Sequence, residues 1–369
     1  MTRWAMSFGL WMVGLMAAGT VFADDDVCEV AGLARSADQE LAPVQLEIYP
    51  NEALGDFNDP AVSLGSDGCR ESAGWAFSAG WLFLKPTLDN TYFALNSGSS
   101  TTFPNGTRIN NELDYQSAFR VGAAYEFCDS KRVLQVNYTS LDASQSETVA
   151  GDFLWATLGR ADFASAFENY AGTASSSLDL SYQRIDASFS QPWPVYKDNV
   201  YFRYGVEYAN LDLREDYTYV SAGTTGTIAQ ESNTVGVGPE FGVGIDHALV
   251  PSNSWMPGAL SMNMVTTASL LVGQSNGHVN NFLGVTPLLD VVDDNASRLI
   301  PALHARIDLN YDVCIGNCQT TLTIGYEFHS YIRALTRVAF PDDVADGLST
   351  NHYDNFDLHG LFASATVGF

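Results

Sequence analysis

Basic residues are scarce in this chain: 17 Lys and Arg stand against 43 Asp and Glu in 369 residues. Non-specific nucleic-acid binding needs Lys and Arg contacts to phosphate, so a formal charge of −26 excludes it. Charge of either sign is also sparse, at 16% of residues, where about 25% is usual. The chain is nevertheless 46% hydrophobic and 12% aromatic, too apolar for a disordered acidic polypeptide. After Phe22 no uninterrupted apolar run reaches the length of about 18 residues that a membrane-crossing helix requires. Cysteine is limited to Cys28, Cys69, Cys128, Cys314 and Cys318. No His lies near Cys314 and Cys318, so the clustered ligands of a structural zinc site are missing and no metal or cofactor is expected.

What is present begins with Arg3 and an apolar run from Trp4 to Phe22, closed by Val21-Phe22-Ala23 and followed by Asp24-Asp25-Asp26. This pattern reads as a secretory signal peptide over residues 1–23. Export permits disulfides: Cys314 with Cys318 across a tight turn, and Cys28 with Cys69, leaving Cys128 over. Residues 24–73 carry 12 acids, two Arg and weak periodicity, and read as an acidic periplasmic arm or plug.

From Trp75 the pattern becomes a period-2 alternation, the signature of strands. Tyr115, Ser117, Phe119, Val121, Ala123, Tyr125 and Phe127 take one face, with Arg120 and Glu126 on the other. Val235 to Ile245 repeats the pattern against Gly236, Gly238, Glu240, Gly242 and Gly244. Ten strands are expected, near 74–84, 114–127, 132–142, 177–190, 199–212, 231–247, 259–273, 300–311, 319–331 and 356–369. In 177–190 the apolar phase slips between Tyr182 and Ile185, which reads as a bulge. Long and short connections alternate throughout, as in a transmembrane barrel with short periplasmic turns and long outer loops. The fold class is therefore all-β: a transmembrane antiparallel up-and-down β-barrel over 74–369. Twelve strands are the alternative, if Phe153, Trp155 and Leu158 mark a hairpin within 143–176; Trp155, Leu158 and Phe163 equally suit a short amphipathic helix.

By parity the interior receives Arg120, Glu126, Arg203, Glu207, Glu240, Asp246, His304, Arg306, Asp308, Glu327 and His329. Arg120/Glu126, Arg203/Glu207 and Arg306/Asp308 stand as opposed charges along single strands. These groups either line a pore and set its ion preference or pair across the interior and fill it; ten strands lie between filled and open barrels. Six acids against three Arg suggest weak preference for cations. Trp75, Trp81, Trp193, Tyr196 and Tyr201 suit the interfacial aromatic girdles. His352, Tyr353 and Asp354 with Asp357 and His359 are the strongest catalytic-looking group, though a solvated loop explains them, and no enzyme is expected. Asp290, Asp293 and Asp294, and Asp342, Asp343 and Asp346, form acidic loop clusters that could meet lipopolysaccharide through divalent ions.

The ending, Asp357-Leu358-His359-Gly360-Leu361-Phe362-Ala363 through Val367-Gly368-Phe369, resembles that of the Legionella-type major outer-membrane protein family. Gly74-Trp75-Ala76 to Leu84-Lys85-Pro86 is similar to that family's first strand. Ala268-Ser269-Leu270-Leu271-Val272-Gly273, Gly236-Val237-Gly238-Pro239 and Ile324-Gly325-Tyr326-Glu327-Phe328 match its other strand motifs. The resemblance implies a pore-forming outer-membrane barrel. The expected function is thus porin-like passage of small solutes or ions; the alternative is a closed structural or adhesive barrel acting through its loops. The expected partners are outer-membrane lipid, lipopolysaccharide and, through the terminal Phe369, the barrel-assembly machinery.

Overall fold

The computed structural model describes residues 74–97, 106–127, 132–157, 170–193, 199–221, 223–251, 258–315, 318–339 and 350–369. The expected signal peptide, the acidic arm, Cys28, Cys69, Cys128, Tyr196 and the 342–346 cluster lie outside them. The described residues hold twelve strands: β1 Trp75–Leu88, β2 Tyr92–Asn96, β3 Thr107–Asn110, β4 Gln116–Glu126, β5 Val133–Ala156, β6 Tyr170–Pro192, β7 Asn199–Ser221, β8 Thr224–Val250, β9 Ala259–Leu283, β10 Thr286–Ile315, β11 Cys318–Ala339 and β12 Thr350–Gly368.

Ten of these close on themselves. β4 through β12 pair in sequence and antiparallel, and β1 joins β12 to β4. Closure removes the free sheet edges that neither lipid nor water-free interiors tolerate. Every one of the ten expected strands is in the ring. The twelve-strand alternative fails in its detail: residues 143–156 and 170–176 extend β5 and β6 and keep pairing with each other. The extra pair is β2–β3, which hangs on the far end of β5 through Ala94–Asn96 opposite Leu154–Ala156. Trp155 is in β5, not in a helix; Leu158 and Phe163 lie outside the described residues.

Strands β5 through β12 are far longer than a bilayer demands. β8 has 27 residues and β10 has 30, where about 9–11 suffice to cross. Most of the expected long loops are consumed by this lengthening. β9 turns into β10 through Gly284 and Val285 alone, with Gly284 at φ 60, the left-handed conformation that a two-residue hairpin requires.

Side-chain chemistry reports where the membrane ends. On β8 the outward face is apolar from Val235 through Val237, Phe241 and Val243 to Ile245, then becomes Asn233 and Glu231. Eleven residues at about 3.4 Å each, tilted by about 45°, give a belt about 26 Å tall, close to the height of a bilayer's apolar band. The neighbours change in step. Tyr208 gives way to Asn210, Asp212 and Arg214 on β7, and Val272 gives way to Gln274, Asn276 and His278 on β9.

Beyond that line the inward face inverts as well. Leu178, Leu180 and Tyr182 of β6, Leu211 and Leu213 of β7, and Phe356 and Leu358 of β12 are buried together inside the ring. The barrel is therefore apolar outside where it meets lipid and apolar inside where it meets water. This inversion explains the phase slip in 177–190. β6 pairs with β7 without a register shift from Gly172 to Pro192, so there is no bulge at Tyr182–Ile185. Tyr182 faces inward above the membrane and Ile185 faces lipid within it; both obey one unbroken alternation.

Candidate functional site in the barrel interior

The interior at the top of the apolar belt is a layer of paired charges. Arg184 of β6 reaches Asp186 at 3.5 Å, Glu207 at 3.2 Å and Glu240 at 2.9 Å. Arg203 of β7 contacts Asp186 at 2.6 Å and Glu240 at 3.0 Å. Arg120 of β4 grips Glu327 of β11 with two parallel bonds of 2.8 Å, the bidentate geometry that favours Arg over Lys. His304 of β10 bonds Glu207 at 2.8 Å, His329 of β11 bonds Glu327 at 3.1 Å, and the two rings meet Nδ1 to Nδ1 at 2.8 Å. The Tyr331 and Ser269 hydroxyls also donate to Glu207. Glu207 and Glu240 have no solvent exposure, and Glu327 has 2%. A cavity of about 70 Å³ lies in this layer against Arg184, His304 and His329, room for a few waters.

An apolar layer lies over the charges, with the Tyr182 and Tyr331 hydroxyls bonded at 2.9 Å. Over that, the end of β11 turns inward while keeping β12 as its partner, with Leu335–Val338 opposite Asp354–Asn351. Its register with β12 breaks between Tyr331 and Leu335, where Arg333 takes φ 57, a strained conformation for a residue with a side chain. The Asn355 side chain accepts the Arg333 N–H, and Arg298 and Arg333 both stack on Tyr353. Past this bend Ala334, Leu335, Thr336, Arg337 and Val338 are all buried. Besides this pairing with β12, they bond to strands that are not β11's neighbours in the ring. Thr234 of β8 donates to the Ala334 carbonyl at 2.6 Å, the Thr336 N–H donates to Ser232 at 2.9 Å, and Arg337 pairs with Glu215 of β7. Arg337 also meets Asp354 at 3.1 Å and the Asp89 and Asn90 carbonyls. The end of β11 is thus a strap across the mouth. A second apolar cluster, including Phe93, Leu154, Tyr217, Tyr219 and Val338, caps it.

The expected interior residues divide between the two readings offered for them. Arg120, Arg203, Glu207, Glu240, His304, Glu327 and His329 join one pairing layer. Arg306 and Asp308 form their own pair at 2.6 Å, as their spacing suggests. The other two same-strand pairings do not form: Arg120 chooses Glu327, Arg203 chooses Asp186 and Glu240, and Glu126 is exposed at the end of β4. Asp246 lies toward the starts of β7 and β9, opposite Asn199 and Asn263. Arg184, Asp186, Tyr182 and Tyr331 were not anticipated. The signal was available, because Arg184 and Asp186 share parity with Leu180 and Tyr182 once the alternation is carried through unbroken.

Three further expectations need correction. Cys314 is disulfide-bonded while Cys318 is a free thiol, so they are not joined to each other. In the hairpin register Cys314 sits opposite Gln319 and Cys318 opposite Ile315; their side chains leave opposite faces of the sheet, too divergent to bridge. Tyr201 is not a girdle residue, since its hydroxyl donates inward to Asn263 at 3.3 Å. The catalytic-looking group is split: Asp354 is buried against Arg337, while His359 points out to Tyr326 at 2.7 Å. Of the acidic cluster, Asp290 bonds His278 at 2.8 Å and Asp293 accepts from Asn351.

Among solved structures, the outer-membrane protease OmpT of Escherichia coli matches at 7% identity over 81% of this chain and 98% of its own, with TM-score 0.38. The translocator domain of the Neisseria meningitidis autotransporter NalP matches at 12% over 80% and 88%, with TM-score 0.34. The outer-membrane protein AlkL matches at 12% over 87% and 96%, with TM-score 0.22. No curated relative matches the chain. A family model does, over residues 69–369, described as the Legionella pneumophila major outer membrane protein precursor. With that match over most of its length, the chain belongs to the Legionella major outer membrane protein family, as a β-barrel of the cell outer membrane.

Proposed function

We propose that this protein is a closed outer-membrane barrel that carries a folded head outside the cell, and that free diffusion along its axis is not its role in this conformation. The observation behind this reading is the strap Ala334–Val338, seated over an apolar layer and a buried charge layer. Its outward surface above the membrane, with Asp142, Asp179, Asp212, Arg214 and Glu231 around a concavity of about 570 Å³, is then the part that meets the surroundings. Phe369, exposed and packed at 6.5 Å from Phe77 beside the β1–β12 seam, serves recognition during assembly. Liposomes holding the refolded mature chain should not swell in isotonic arabinose or in potassium chloride. Swelling at the rate of an open porin refutes the reading.

A second reading is porin-like passage of small ions after the strap moves. The strained bend at Arg333 and the polar lower lumen of Asp246, Asp308, Asn310, Thr321 and Thr323 favour it. It predicts ion flux only in variants that free the strap, with cations favoured by the acids below.

A further inference from the structure

Glu207, His304, His329 and Glu327 form one continuous hydrogen-bonded row across the interior. At the centre, two Nδ1 atoms lie 2.8 Å apart. Two imidazole nitrogens at that distance need one proton between them. With none, lone pairs face each other; with two, N–H groups collide. Each Nε2 faces a carboxylate, which as an anion only accepts, so both Nε2 atoms are protonated. Three protons on two rings make one imidazole and one imidazolium.

An independent count reaches the same state. The contacts that link this layer join three guanidinium groups, Arg120, Arg184 and Arg203, to four carboxylates, Asp186, Glu207, Glu240 and Glu327. One negative charge is left over, and Arg306 and Asp308 cancel each other beside it. An uncompensated buried charge is strongly unfavourable; one proton on the His pair neutralises the layer. Two imidazole nitrogens held about 2.0–2.1 Å from one tetrahedral metal ion stand more than about 3 Å apart, so the particle between nitrogens 2.8 Å apart is a proton.

We propose that His304 and His329 are a binding site for one shared proton, and that a second proton parts the rings and loosens the layer beneath the strap. The charged and titratable groups around the pair from the packed strands are Glu207 and Arg203 of β7, Arg184 and Asp186 of β6, Arg120 of β4, and Glu327 and Tyr331 on β11 itself; Arg306 adjoins on β10. A second proton makes the layer net positive and puts two N–H groups head to head. The loosening rests on the closed-barrel reading; the shared proton does not.

The test is solid-state NMR of the full mature chain in bilayers with ¹⁵N-labelled histidine, from neutral to acid pH, with ion flux followed in parallel on liposomes. At neutral pH the pair should show two protonated Nε2 atoms and a scalar coupling across one Nδ1–H–Nδ1 bridge. Two neutral rings without coupling, or two imidazolium rings, overturn the shared proton. On acidification the coupling should vanish and flux begin at the same pH, and His329→Phe should abolish that pH dependence. Coupling lost without any flux overturns the loosening. Flux already present at neutral pH overturns the closed barrel while leaving the spectroscopic result to stand or fall by itself.

Discussion

Replacing Arg184 with Leu removes the one cation that touches three buried carboxylates, Asp186, Glu207 and Glu240. Leu fills much of the stem's volume, so the loss is chiefly electrostatic. Each carboxylate keeps a second partner: Arg203 for Asp186 and Glu240, and His304, Tyr331 and Ser269 for Glu207. None gains water. Breaking a buried pair from one side costs about 3–5 kcal/mol. With a urea slope of about 2.5 kcal/mol per molar, a loss of about 4 kcal/mol lowers the midpoint by about 1.6 M. Tryptophan fluorescence of the refolded protein in liposomes reads that midpoint, and the heat-dependent gel shift confirms folding. Adding Glu240→Gln removes part of the excess negative charge and should recover about 1–3 kcal/mol of the loss. A water-filled lumen gives a different answer, because exposed pairs are worth about 0.2–1 kcal/mol. An Arg184→Leu midpoint within about 0.4 M of the parent, with no rescue by Glu240→Gln, refutes the buried layer.

The inversion at the membrane line predicts opposite tolerances along one strand. Phe241→Arg, on the lipid face of β8, should cost about 2–4 kcal/mol, whereas Asn233→Arg on the same face above the belt should cost no more than about 1 kcal/mol in the same unfolding assay. Leu213→Asp, inward and above the membrane, should lower stability by more than about 2 kcal/mol through an unpaired buried carboxylate, while the outward Thr218→Asp stays within about 0.5 kcal/mol. Equal effects within either pair contradict the inversion. Cys318 should react with a maleimide in the native, unreduced protein and Cys314 only after reduction, as mass spectrometry of tryptic peptides would show; labelling of both without reductant contradicts the assignment.

The membrane half of the barrel was readable in sequence because lipid imposes a simple rule. Outward residues such as Val237, Phe241 and Ile245 must be apolar, and alternation follows. The half outside the membrane obeys the opposite rule, and there the same alternation looked like loop. Ser175 and Ser177 alternate with Ser176 and Leu178, so small polar residues conceal a face that Leu178, Leu180 and Tyr182 make apolar. Read as a bulge, the change of rule hid Arg184 and Asp186, the two groups that knit the charge layer together. Pairing partners were out of reach for another reason. Arg120 and Glu327 are 207 residues apart, and only ring closure and register bring them face to face. The strap was hidden too, since Ala334 to Val338 reads as an ordinary strand end until the bend at Arg333 turns it inward.

The central claim is that the axis of this barrel is shut at neutral pH by the charge layer, the apolar layer and the strap. Planar-bilayer recording of the refolded mature chain measures it most directly. Wild-type protein at neutral pH should give no stable conductance steps, although the gel shift shows it folded. Regular steps whose reversal potential moves on Glu240→Ala would show ions passing Glu240 and would contradict it.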